Sequence, residues 1–206
     1  MSSLVVTGTD TGVGKTVVSA GLVQVLAADY WKPVQAGLQE TTDSAWVSKL
    51  TGARIIPECY RLNLPASPHL AAEDEAMEID PDRLAMPQTN RTLVIEGAGG
   101  VLVPLNRQTF FLDVFTRWQA PVLIVARTAL GTINHTALTV RALRAAGANV
   151  LGVIFNGGAE DKVEQTICQM CAVQHLGRLP ELTPLNSITL AKAFGAIDTD
   201  YIRATL

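Results

Sequence analysis

With 206 residues, a formal net charge of −3 and a pI near 5.6, the chain is long enough for one α/β domain, and it has no Lys/Arg-rich run to attract nucleic acid or an anionic membrane. Its three cysteines, Cys59, Cys168 and Cys171, are an odd number and argue against a disulfide framework. The N-terminal apolar run is only Leu4 to Val6, so neither a signal peptide nor a spanning helix is expected, and the chain reads as a cytoplasmic protein that acts on small molecules.

The predicted elements alternate along the chain. The β-branched run LVVTG at 4–8 is a strand, and 16–28 carries apolar residues at helical spacing. A second strand is expected at 30–34 and a helix at 44–50. Residues 63–90 are rich in Pro, Asn and acidic residues, with only a weak helix near 69–75. Further strands lie in TLVIEGAGG (92–100), PVLIVA (121–126) and NVLGVIFNGG (149–158), with a helix at 135–146. These runs are apolar throughout rather than alternating, as strands covered on both faces must be. The fold expected is α/β, a three-layer, doubly wound and mostly parallel sheet in a single domain over 1–206. Residues 162–173 read as a helix that buries Val163, Ile167, Met170 and Cys171, and the last twenty residues as one or two more helices. Cys168 and Cys171, with only His175 nearby, fall short of four zinc ligands and are read as small buried apolar side chains.

The first strand runs into GTDTGVGKT at 8–16 and then a helix, the context in which a glycine-rich loop cradles phosphate. The amides of Gly12, Val13, Gly14 and Lys15 would face phosphate oxygens, Lys15 would reach the β/γ region, and the Thr16 hydroxyl could ligate magnesium. The spacing is unusual. The common pattern places a glycine where Thr9 stands, and Gly8 is one residue further out.

Glu96 ends a second apolar strand and is followed by Gly97, Ala98, Gly99 and Gly100, where an acid can complete a magnesium shell or simply be satisfied by loop amides. Lys32, between Trp31 and Pro33, would leave its strand toward the same edge, although a lysine before proline is by itself more often solvated. Asp43 reads best as the N-cap of the 44–50 helix, a role compatible with metal binding.

Together, GTDTGVGKT (8–16), WKPVQAG (31–37), the Asp43 loop, SPHLAA (67–72), EGAGG (96–100), LGTINHTALT (130–139) and GVIFN (152–156) resemble the dethiobiotin synthetase family over most of the chain. The extra residue before Gly-Lys-Thr is itself a feature of that family. The resemblance implies an ATP- and Mg-dependent ligase. In its reaction 7,8-diaminononanoate captures CO2 as a carbamate, ATP phosphorylates the carbamate, and the second amine closes the ring. It implies that Gly12 to Val17 bind nucleotide with Gly97, Ala98 and Gly99, and that Thr16, Asp43 and Glu96 hold the metal. Lys15 and Thr11 act with Lys32, which stabilises carbamate and γ-phosphate charge. Thr11 and Ala36 lie near the substrate, with Ala36 where many members have Ser or Thr. Gly131, Thr132, Ile133 and Asn134 would receive the substrate carboxylate from a neighbouring subunit in a homodimer. Asn156 would read adenine under the loop Pro180, Glu181 and Leu182. His69 and His135 are expected to order loops rather than act as bases.

The main rival is a partner-regulated ATPase of the ParA/MinD type, but the lysine expected five residues before Lys15 is replaced by Asp10, and the tail has no basic amphipathic character. A cobyrinate-type amidoligase would need a further amidotransferase domain. A degenerate phosphate-loop protein would not need Lys15, Thr16, Lys32 and Glu96 together.

Overall fold

The computed structural model describes residues 2–206. In chain order the elements begin β1 (Ser3–Gly8), α1 (Lys15–Leu26), β2 (Asp29–Trp31), β3 (Val34–Ala36), α2 (Asp43–Thr51), β4 (Ile55–Ile56), β5 (Tyr60–Leu62) and α3 (Pro68–Asp74). They continue with β6 (Leu93–Gly100), α4 (Phe111–Trp118), β7 (Val122–Arg127), α5 (Thr132–Ala145), β8 (Val150–Asn156), α6 (Asp161–Cys171), β9 (His175–Leu179), α7 (Ser187–Ala193) and α8 (Thr199–Thr205). Seven strands form one parallel sheet in the order β4-β2-β6-β1-β7-β8-β9, while β3 and β5 pair separately.

Alternation along the central strands divides the core in two. Val5, Leu93, Ile95, Val122 and Ile124 face α4, α5 and α6 through Phe111, Phe115, Leu143 and Ile167. Leu4, Val6, Val94, Leu123 and Val125 face α1, α2, α7 and α8 through Val18, Leu22, Val47, Leu190 and Ile202. Burial on both faces explains why these strands carry no polar alternation, and it makes the three-layer, doubly wound expectation correct. Among the described residues, no helix is long and apolar enough to cross a membrane.

Several local expectations change. The strand expected at 30–34 is two strands, because Pro33 has no N–H to donate to the ladder; β2 stays in the main sheet and β3 leaves it to pair with β5. The helix expected at 135–146 starts three residues earlier, at Thr132, after Gly131 in the left-handed region. On α6, Ile167 is fully buried, but Met170 is 79% exposed and Cys168 and Cys171 are only half-buried. Burial and the nearby Glu164 push the Cys168 thiol up to about 11, which makes it a poor nucleophile.

Gly21 allows α1 to pack closely against the C-terminal region, since a Cβ there would fall 1.8 Å from a ring carbon of the buried Phe194. Alanine would gain about 1 kcal/mol of helix propensity, but displacing that ring costs about 1–3 kcal/mol, with the depth of the overlap favouring the upper end. Gly21→Ala should therefore lower Tm, and adding Phe194→Leu should recover part of the loss; thermal melts of both variants check this.

Candidate active site

β1 stops at Gly8 and α1 starts at Lys15, which puts loop 9–14 at the carboxyl edge of the central strand. α1 has no side-chain cap and no acid of its own in its first turn, so the amides at the positive end of its dipole are left open to an anion. Gly14, at φ 96°, needs its freedom doubly, because a Cβ there would also lie 2.2 Å from Asn156 Nδ2. That amide instead donates to the Val13 carbonyl at 3.0 Å and ties the end of β8 to the back of the loop.

The odd spacing has a geometric reason. A Cβ on Gly8 would meet Asp10 O at 2.8 Å and Lys15 Nζ at 3.1 Å, so the outer glycine is the one the lysine passes over. The extra residue is taken up in the following turn. There Asp10 accepts Lys15 Nζ on its carbonyl at 2.9 Å and the Thr11 N–H on Oδ1 at 2.7 Å.

Parallel register aligns Trp31 with Ile95, so the next residues, Lys32 and Glu96, emerge side by side. Lys32 is 4% exposed, not solvated. Its Nζ pairs with Asp43 Oδ2 at 2.6 Å and Glu96 Oε1 at 3.2 Å, and it contacts the Gly97 carbonyl at 3.4 Å. Tyr30 donates to Glu96 Oε2 at 2.9 Å. The N-cap of α2 is Thr42, which accepts from Ala45, and not Asp43, which sits one residue later inside the positive end of the helix. That placement leaves the Asp43 carboxylate free to turn to Lys32. Gln35 fixes its backbone by accepting the Asp43 N–H at 3.2 Å.

Burial alone would favour a neutral Lys32 amine, yet Glu96 and Asp43 outweigh it and hold the ammonium above its usual range. Burial would likewise raise Asp43, but Lys32 and the Thr16 hydroxyl pull it below its usual value. Lys15 has no such carboxylate contact, so burial pushes it down to about 8, with the like charge of Lys32 adding to the effect and Glu96 opposing it.

The donor set suits a hard divalent cation. Thr16 Oγ1 lies 2.5 Å from Asp43 Oδ1 and 3.0 Å from Glu96 Oε1, and one hydroxyl hydrogen serves three converging oxygens. Two carboxylates and a hydroxyl with lone pairs to spare are the oxygen ligands magnesium takes.

Most of the expected site shares one cleft of about 750 Å³: Thr11, Gly12, Gly14, Lys15, Thr16, Val17, Lys32, Ala36, Asp43, Glu96, Ala98 and Gly99 all line it. Val13 is buried behind the loop. Asn156 pairs across strands with Leu179, which leads into Pro180, Glu181 and Leu182; of the loop after β9, Leu185 reaches the cleft wall. Gly131, Thr132, Ile133 and Asn134 do not join this cleft. They line a separate groove of about 720 Å³ between α5 and α6. Gln35 and Tyr30 are site residues that sequence reasoning missed. Both lie beside Lys32 in the sequence, but an internal tyrosine and glutamine in an apolar run carry no signal of their own.

The family described as the AAA domain matches residues 2–189. The chain is 55% identical over 194 residues to a protein named ATP-dependent dethiobiotin synthetase BioD from Rhodopseudomonas palustris (strain BisA53), covering 93% of this chain and 91% of that one. It is 56% identical over 197 residues to the protein of the same name from Bradyrhizobium sp. (strain BTAi1 / ATCC BAA-1182), covering 94% of each. Among solved structures it resembles a ParA family ATPase from Chlorobium tepidum TLS, at TM-score 0.61, 10% identity and coverage of 99% and 97%. The Aquifex aeolicus MinC:MinD cell division complex matches at TM-score 0.60, 14% identity and coverage of 99% and 95%. At such identities these two share the fold alone.

Phosphates beside Lys15 would favour its charged form and raise its pKa from about 8. Below pH 8 the lysine is already protonated and nucleotide affinity should be flat. Above it, binding must take up a proton, and affinity should fall by up to about tenfold per pH unit. Calorimetry at pH 8.5 in two buffers of different ionisation heat should show that uptake; identical heats would contradict it.

Proposed function

The chain belongs to the ATP-dependent dethiobiotin synthetase family, and we propose that the cleft around Lys15, Lys32, Asp43 and Glu96 is where it phosphorylates a carbamate and closes the ureido ring. It is an ATP-dependent ligase of biotin biosynthesis. The likeness to ParA and MinD proteins is one of fold. In this reading 1–206 is one synthetase domain working in the cytoplasm on small molecules, with no nucleic-acid or membrane partner.

The observation that carries the reading is the buried Lys32 ammonium, held between two carboxylates at the mouth of a phosphate-binding loop. 7,8-Diaminononanoate adds one amine to CO2, losing a proton and forming a carbamate. A carbamate oxygen then attacks the γ-phosphorus of ATP, and ADP leaves. The second amine attacks the carbamate carbon, and the C–O bond breaks to release phosphate and dethiobiotin. Lys15 and the loop amides hold the β/γ-phosphates, while Lys32 offsets charge shared between carbamate and phosphoryl group in a loose transition state. Magnesium held by Thr16, Asp43 and Glu96 would supply further positive charge to the phosphates. The backbone around Thr11, Gly97, Ala98 and Gly99 orients the reacting groups.

Asn156 reads adenine, since its Nδ2 donates to Val13 and its Oδ1 has no donor among the described residues. Pro180, Glu181 and Leu182 close over the base. The start of α5, at Gly131, Thr132, Ile133 and Asn134, presents amides suited to a carboxylate but lies outside its own cleft. A homodimer in which this segment completes the partner's site accounts for that separation. It also gives a use to Leu130, Ile133 and Leu138, all exposed.

Incubating the protein with ATP, magnesium, bicarbonate and 7,8-diaminononanoate should yield dethiobiotin by mass spectrometry; phosphate release that ignores the diamine and gives no cyclic urea would sink the reading. Lys32→Ala should cut turnover by about 10²–10³-fold while nucleotide binding stays within about tenfold of the parent. Normal turnover in that variant would remove Lys32 from the chemistry.

A further inference from the structure

Ala36 offers only a methyl group to the cleft, so polar recognition of a substrate on the wall formed by residues 35–43 falls to the other side chains there. Most of these are already engaged. Gln35 donates to the Ala36 carbonyl and accepts the Asp43 N–H. Thr42 caps α2. Asp43 is held by Lys32 and Thr16. Glu40 lines the same cleft, is exposed, and has no ion-pair or hydrogen-bond partner among the described residues.

The charges decide what Glu40 can meet. Lys15 and Lys32 balance Asp43 and Glu96 within the cleft, so those four groups sum to zero, and among the described residues Glu40 is the one carboxylate there with no cation of its own. An anionic nucleotide or carbamate would be repelled by it and drawn to the lysines instead. A diamine enters water as a cation, and the carboxylate left without a partner is the group that matches it.

We propose that Glu40 binds an ammonium of the diamine substrate and orients it, setting the specificity of the cleft for a cationic co-substrate. The proposal rests on the synthetase reading above. Glu40 forms no bond to the reacting carbon; the ammonium it holds gives its extra proton to solvent before that nitrogen, as the free amine, attacks the carbamate carbon. Its ion pair places one nitrogen of the substrate while the other is carboxylated near Lys32. Three residues before Asp43, on the β3–α2 connection that starts at Gly37, it stands on the solvent-exposed part of the cleft wall.

Steady-state kinetics of the full chain test this, with each variant's Tm compared to the parent. Glu40→Gln should raise KM for 7,8-diaminononanoate about 5- to 20-fold, with KM for ATP and kcat within about twofold. Glu40→Asp should recover part of that loss. In the parent, KM for the diamine should rise between about 0.05 and 0.5 M NaCl, and this dependence should flatten in Glu40→Gln, which a loop merely loosened by substitution would not do. An unchanged KM for the diamine would overturn the proposal, as would a loss shared equally by ATP and diamine. A parent that makes no cyclic urea would overturn the synthetase reading and this inference together, and the parent assay reveals it before any variant is compared.

Discussion

Lys32 keeps a full charge at 4% exposure because Asp43 and Glu96 meet it at 2.6 and 3.2 Å. Stripped of either partner, a charge so buried would cost several kcal/mol. That constraint draws together three parts of the chain: the end of β2, the start of α2 and the middle of β6. Each is in place for a separate reason. Strand register aligns Lys32 with Glu96, Pro33 turns the chain out of the sheet, and the Thr42 cap and the Gln35 side chain aim Asp43 inward. The same carboxylates touch the Thr16 hydroxyl at the opening of α1, so the three oxygens proposed to hold magnesium and the Lys32 ammonium share one hydrogen-bonded junction.

The two lysines of the cleft differ because their neighbours differ. Lys15 reaches a backbone carbonyl and is depressed by burial, whereas Lys32 reaches two carboxylates and stays charged. In the synthetase reading that difference divides the labour: near and above pH 8 the charge of Lys15 would respond to nucleotide, while Lys32 would offer a fixed field to the reacting group.

Much of this was legible in the residues. Apolar runs bounded by glycine led to the parallel sheet, and Gly-Lys-Thr at a strand-to-helix junction located the loop, because backbone geometry limits what can stand there. Lys32 was the ambiguous case. A lysine before proline is usually solvated, and only the cross-strand neighbour Glu96 decides otherwise, a contact 64 residues away in sequence. Gln35 and Tyr30 escaped notice for the same reason, since their partners come from folding rather than from spacing. Thr42 displaced Asp43 as the cap because an adjacent threonine satisfied the helix amide equally well, and Met170 is exposed because the apolar stripe of α6 is wider than the face the sheet covers. The groove at Gly131 to Asn134 was placed near the substrate on family resemblance, and one chain by itself keeps it apart from the cleft.

Passage of phosphate through a carbamate, and not directly to water, would be recorded in the oxygens of the products. Turnover started with ¹⁸O-labelled bicarbonate in unlabelled water, stopped before the label exchanges, reads them. One labelled oxygen should appear in inorganic phosphate and one in the ureido carbonyl of the product, since the carbamate oxygen that attacks phosphorus leaves with it. Unlabelled phosphate formed alongside dethiobiotin would contradict the account.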